Sequence, residues 1–160
     1  MAVDMFIKIE NIKGESKDKS HEGETDVLAW SWGMSQSGTM HIGGGGGAGK
    51  VNVNDLSFTK WLDKGSTDLM KACCEGKHIP KAVLVVRKAG GTPVEYLTIT
   101  MEEVLISSVS TGGSGGEDRL TESVSLNFAK VKVKYIEQTA EGGEGDKPDM
   151  AWNIQANVPY

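Results

Sequence analysis

"IPKAVLVVRKAGGTPVEYLTITMEEVLISSVS", residues 79–110, reads as two long strands turned back on each other at Gly90-Gly91. "TGGSGGED" at 111–118 makes the next turn, and "RLTESVSLNFAKVKVKYIEQ" at 119–138 the next long strand. In that strand Val124, Leu126 and Phe128 occupy even positions, whereas Val131, Val133 and Tyr135 occupy odd ones. The phase flips near Ala129–Lys130, which predicts a bulge where the strand bends or changes sheet. Residues 79–138 therefore read as antiparallel β-structure before anything else is considered.

Working outward, residues 66–76, "STDLMKACCEG", form the one convincing helix. Ser66 or Thr67 suits the N-cap, Asp68 the positive end of the dipole and Gly76 the C-terminus. Leu69, Ala72 and Cys73 fall at i, i+3 and i+4, so Cys73 reads as a small core residue. Upstream, "DVLAWSWGMSQS" alternates Leu28, Trp30, Trp32 and Met34 against Ala29, Ser31, Gly33 and Ser35. "VNVNDLSFTKWL" alternates again, and "MFIKI" at 5–9 is a first strand. Residues 11–25 are a polar, turn-rich loop. Residues 138–149 are an acidic, mobile linker, and "AWNIQANV" is a closing strand. There is no internal repeat. Short strands, glycine turns and a single helix predict one domain over 1–160, a small β-barrel or sandwich.

The chain has 160 residues, with 17 Lys plus Arg against 22 Asp plus Glu, a net charge of −5. That balance argues against a nucleic-acid partner, which needs a basic footprint. Nothing approaches the roughly 18 consecutive apolar residues of a membrane span, so no membrane insertion is expected. The alternating start, with Asp4 and no basic n-region, does not read as a secretory signal. Cys73 and Cys74 are adjacent, and their Cα atoms, about 3.8 Å apart, are too close for the usual disulfide. Free thiols from a reducing compartment are expected.

Gly44 to Lys50 fits G-x-x-x-x-G-K, the skeleton of a phosphate-binding loop. The context fails: Val51 stands where Ser or Thr should hold magnesium, and "VNVN" is strand-like where a helix should begin. His21, His41 and His78 are isolated and read as surface or loop histidines. Glu102 and Glu103 point to opposite faces of a strand, and Lys130, Lys132 and Lys134 read as a solvated strand face. No catalytic residue, cofactor site or metal site emerges, so the chain does not read as an enzyme. The long glycine loop makes sense if it orders against another copy of the chain. The face of Ala29, Ser31, Gly33 and Ser35 is neither greasy nor charged. It reads as a solvent face, as tight sheet packing, or as the wall of a wet channel that passes cargo without sticking to it.

These residues resemble the haemolysin-coregulated protein (Hcp) family of bacterial type VI secretion systems. The resemblance runs through "MFIKIENIKGES", "DVLAWSWGMSQSG", "GKVNVNDLSFTKWLDK", the helix, "VLISSVSTGGSGGEDRLTESVSLNFAKVKVKY" and the late "WNI". It departs at Asp68, where the family often has proline; either residue suits a first turn. The resemblance implies a β-barrel of two antiparallel sheets flanked by one helix, similar to phage tail-tube proteins. It also implies hexameric rings stacked into a tube that works with spike, baseplate and sheath proteins and carries small effectors in its lumen. Such a protein would be cytoplasmic in its producer and then secreted. By the same resemblance, residues 39–50, with His41, Ile42, Gly43, Gly44, Gly45, Gly46, Gly47 and Lys50, form an extended loop to neighbouring copies. Lys50 then pairs with an acid of a neighbour. Gly112, Gly113, Glu117 and Asp118 belong to a second rim contact, and Ala29, Ser31, Gly33 and Ser35 to the lumen wall. Two other readings stay open: a monomeric β-sandwich module binding glycans or peptides, and an NTPase resting on Gly44–Lys50 alone.

Overall fold

The computed structural model describes residues 3–38, 40–41, 49–89 and 94–160. The predicted Gly90-Gly91 turn and loop residues 42–48 lie outside the described residues.

In chain order the elements are β1 (Val3–Ile9), β2 (Thr25–Asp26), β3 (Ala29–Ser31), β4 (Met34–Ser35), β5 (Asn52–Val53) and β6 (Leu56–Trp61). The helix α1 (Ser66–Glu75) follows. The chain then continues through β7 (His78–Lys88), β8 (Glu95–Gly112), β9 (Thr121–Tyr135), β10 (Asp149–Asn153) and β11 (Val158–Pro159). All strand pairs are antiparallel, in one nine-stranded sheet and a separate β4–β5 pair. The long strands β7, β8 and β9 are its spine. One edge of β9 is shared between two neighbours: residues 121–126 pair with β6, and residues 130–134 with β10.

The expected barrel is bridged by chain and not closed by a continuous ladder. β2 pairs with β1 and β3 with β6, and only Val27 and Leu28 join the two short strands. The Val27 N–H donates to the Met5 carbonyl (2.9 Å), and the Leu28 N–H donates to that of Thr59 (2.8 Å). A strand that turns its donors from one neighbour to another cannot carry a ladder through the turn.

The predicted phase flip in β9 is present, but its cause is not a bulge at that point. Burial falls on Glu122, Val124, Leu126 and Phe128 and then moves to Val131, while the register with β8 is unbroken from Ile106↔Leu126 to Leu97↔Tyr135. β8 slips in the same row, from Met101 to Val104, and β7 from Ile79 to Ala82. Pro80, Glu103 and Ala129 occupy that row. Pro80 has no N–H to offer, Glu103 adopts φ 55, and the Ala129 carbonyl accepts from the Ile154 N–H (2.8 Å). The bulges lie elsewhere, at Val86/Arg87 and at Ile106/Ser108.

One core spans both sides of this row, with Ile7, Leu56, Leu84, Met101, Val124 and Leu126 wholly buried. α1 packs on β8 through Leu69 and Ala72, with Cys73 half-buried against the core. Its N-cap is Gly65 and not Ser66 or Thr67. The Ser66 hydroxyl is engaged elsewhere: it accepts from the Asp63 N–H (2.9 Å) and from Lys60 Nζ (3.1 Å), and donates to Glu122. Gly76 ends the helix at φ 61, the left-handed conformation that glycine adopts without strain. Residues 138–149 form a hydrogen-bonded hairpin between β9 and β10, held by Glu137 N–H to Asp146 O (2.8 Å) and Tyr135 N–H to Pro148 O (3.0 Å).

Candidate functional site

Between the row of Glu103 and Ala129 and the β8–β9 turn, four strands lie side by side in the order β3, β6, β9, β8. Directly paired residues share a face, so the register shows which side chains stand together. Ala29 pairs with Thr59, Thr59 with Ser123, and Ser123 with Ser110. In the next row of this face Ser31 pairs with Ser57, Ser57 with Ser125, and Ser125 with Ser108. The row between them, Trp30, Phe58, Val124 and Val109, turns the other way and feeds the core. The result is an uncharged patch of seven hydroxyls and the methyls of Ala29 and Thr59, about 14 Å across at the usual strand spacing. All eight residues are exposed or half-buried.

The patch is ordered from within. The Ser57 and Ser125 hydroxyls lie 2.9 Å apart. At its end Asp55 accepts from the Ser107 hydroxyl (2.6 Å) and from Asn127 Nδ2 (2.9 Å), so its carboxylate is occupied. Side chains this short contribute no apolar anchor and no ionic grip, which leaves a wettable face. Among the described residues, no strand pairs with the outer edge of β3 or with the free edge of β8 beyond Leu105. The four-stranded patch therefore ends in unsatisfied backbone on both sides.

The structure brings Ala29 and Ser31 into this face but separates Gly33 and Ser35 from it. Gly33 lies between β3 and β4, and Ser35 pairs with Asn52 in the small β4–β5 sheet. Sequence reasoning missed Ser57, Thr59, Ser108, Ser110, Ser123 and Ser125. The alternating hydroxyls of "LSFT" and "SVSLN" carry the signal, but only the register joins them to Ser31.

Of the predicted contact residues, His41 and Lys50 are exposed, and Ile42 and Gly43 to Gly47 lie outside the described residues. Gly112, Gly113, Glu117 and Asp118 are all exposed around the β8–β9 turn. A Cβ at Gly113 would strike the Leu120 side chain, and the Glu117 N–H donates to the Ser114 carbonyl (3.1 Å). Arg119 stacks 4.6 Å over the Trp61 ring beside this turn. After Lys50 the chain enters β5, a strand, so the helix that a phosphate loop requires does not follow it.

Two polar clusters are new. His21 is buried and not a surface histidine: its ring stacks 4.4 Å from Phe6, with Nδ1 3.0 Å from Glu24 Oε1 and Nε2 2.6 Å from Glu95 Oε1. Beside it Arg87 pairs with Asp18 and Asp4. The hydrogen bond from Arg87 holds the Asp18 carboxyl below its ordinary range, whereas burial pushes that of Asp26 up. The second cluster lies in the core, where Lys60 Nζ donates to Glu122 (2.5 Å) and Asp63 (2.9 Å). Arg87 Nε is buried without a hydrogen-bond partner among the described residues. Lys60 follows Thr59 and Glu122 precedes Ser123 on the same strands, both turned to the core-facing side, opposite the hydroxyl patch. Among the described residues no group of three or more His, Cys, Asp or Glu is placed to hold a metal ion, and no helix is long and apolar enough to cross a membrane.

Residues 6–135 match the family model described as "Type VI secretion system effector, Hcp". The chain is 68% identical over 160 residues to Protein hcp1 of Pseudomonas aeruginosa, covering 99% of each. Its fold is similar to the crystal structure of Hcp1 from Salmonella typhimurium, with TM-score 0.83 and 41% identity across 100% of both chains. It is also similar to a solved type six secretion system protein, with TM-score 0.93 and 30% identity over 99% of this chain and 100% of that one.

Proposed function

Since the chain belongs to the Hcp family of type VI secretion proteins, we propose that it is the structural subunit of the secretion tube, forming hexameric rings that stack and carry effectors in their lumen. The observation that carries this reading is the hydroxyl patch with two free edges. A four-stranded sheet ending in unpaired β3 on one side and unpaired β8 on the other invites uncontrolled association. If the β3 edge of one copy meets the β8 edge of the next, the contact is heterologous, and repetition about an axis closes a ring with no edge left over. The hydroxyl face then becomes the inner wall. A wall with neither charge nor large apolar groups lets a folded passenger slide and exchange water instead of adhering.

On this reading Ala29 and Ser31 line the lumen together with Ser57, Thr59, Ser108, Ser110, Ser123 and Ser125. Gly33 and Ser35 belong to its rim. The turn of Gly112, Gly113, Glu117 and Asp118 and the loop of His41 and Lys50 meet neighbouring copies, spike, baseplate or sheath. The protein starts in the cytoplasm and leaves through the machine it helps to build. It is a part and not a catalyst.

Light scattering on size-exclusion peaks over a dilution series tests the assembly. The expected result is a particle of about six times the 17.1 kDa chain mass that dissociates only on strong dilution. A single 17.1 kDa species at every concentration would remove the reading and favour a monomeric binding module.

A further inference from the structure

Asp55 borders the hydroxyl rows at the end away from the β8–β9 turn, just before β6 begins at Leu56. Both β8 and β9 reach across to hold it. The Ser107 hydroxyl donates to Oδ2 (2.6 Å), and Asn127 Nδ2 donates to Oδ1 (2.9 Å). Ser107 is the inserted residue of the β8 bulge: Ile106 pairs with Leu126 and Ser108 with Ser125, which leaves Ser107 no partner on β9. Ile106 is buried, whereas Ser107 and Ser108 are both exposed. A bulge re-aims a side chain by letting two successive residues oppose one. Here it keeps Ser108 in the hydroxyl rows and sends Ser107 to the carboxylate. Both donors are neutral, so they orient Asp55 without cancelling its charge. A carboxylate offers about four acceptor sites, so each oxygen keeps one open. No lysine, arginine or histidine among the described residues pairs with Asp55.

We infer that Asp55 is the specificity-determining residue of the hydroxyl face, taking a lysine or arginine side chain from the surface of a passenger protein. The inference rests on the proposed carriage of effectors and names what the face selects. The hydroxyl rows offer no charge to distinguish one passenger from another, so a fixed carboxylate beside them decides by sign. A cationic side chain finds acceptor positions already aimed, which lowers the ordering cost of the contact. An acidic surface in the same place meets like charge and is turned away. In a closed ring the carboxylate recurs once in each copy, so several weak contacts act on one passenger together. A single exposed pair is weak and salt-sensitive, so the passenger is held loosely and can leave.

Asp55→Asn keeps the size of the side chain and removes its charge, and circular dichroism checks that the fold is retained. The probes are fluorescein-labelled lysine-glycine and glutamate-glycine repeat peptides, titrated at low salt by fluorescence anisotropy. The parent is expected to bind the lysine peptide and not the glutamate peptide. Asp55→Asn is expected to raise the Kd for the lysine peptide about fivefold, the upper end for one exposed ion pair. Ser107→Ala, which keeps the charge but loosens it, is expected to fall between the two. Glu117→Gln with Asp118→Asn removes more charge at the far end of the patch and is expected to change the Kd less than about twofold. A Kd unchanged by Asp55→Asn, or raised equally by the Glu117 and Asp118 changes, would overturn the assignment. So would a parent that ignores the lysine peptide or binds the glutamate one as well. Failure of the tube reading is read separately, as a 17.1 kDa species at every concentration in light scattering. That result removes the bore, while the peptide Kd still decides whether Asp55 selects cations.

Discussion

Lys60 is wholly buried, and its ammonium is shared among Glu122, Asp63 and Ser66. Removing charges from water is costly, and the partners offset that cost only while all are present. Lys60→Met leaves the buried Glu122 carboxylate without its cation and is expected to cost about 3–5 kcal/mol in urea unfolding. Lys60→Met with Glu122→Leu removes both charges and is expected to recover most of that loss. Equal destabilisation by the single and double variants would show that the cluster acts by shape and not by charge. Nothing in "LSFTKWLDKGS" announces this arrangement, because Lys60 sits at an alternating position that reads equally well as exposed. The same holds for His21. Its burial follows from Phe6 lying on the outward face of β1 and needing a cover, a requirement that the polar pattern of residues 11–25 does not show. The Arg87–Asp18 pair fixes the same segment from the other end, joining residues far apart in sequence.

Among the elements, β7, β8 and β9 change phase together at Pro80, Glu103 and Ala129. The slip was legible in β9, where Phe128 and Val131 are three apart, but its cause was not. One strand seen alone suggests an inserted residue, whereas three strands slipping in one row keep their register and bend the whole sheet. The left-handed backbone of Glu103 (φ 55) is part of that bend. A β-branched side chain there is sterically disfavoured, so Glu103→Val is expected to cost about 1–2 kcal/mol, with Glu103→Gly close to neutral. Thermal unfolding of the two variants measures the difference. If valine is tolerated as well as glycine, Glu103 does not constrain the bend. The helix itself was readable from Leu69, Ala72 and Gly76. Its cap was not, because Ser66 is drawn away to Glu122 by a tertiary contact that no local capping pattern encodes.

For the molecule as a whole, the mainly β class was legible from the alternating runs, and the family from motifs spread along the chain. The hydroxyl patch was legible only as far as Ala29 and Ser31. Its other six members come from three further strands whose register is set by core pairs such as Trp30↔Phe58 and Phe58↔Val124. What the fold adds is a sheet with a wettable face and, among the described residues, two open edges. Under the proposed function, a closed ring would complete both edges. Electron cryomicroscopy of the assembled particles tests that account most directly. The account predicts a ring of about six copies, β3 of each beside β8 of the next, with Ser31, Ser57, Ser125 and Ser108 facing the bore. A ring with that face turned outward or buried between copies, or particles with no ring at all, would contradict it.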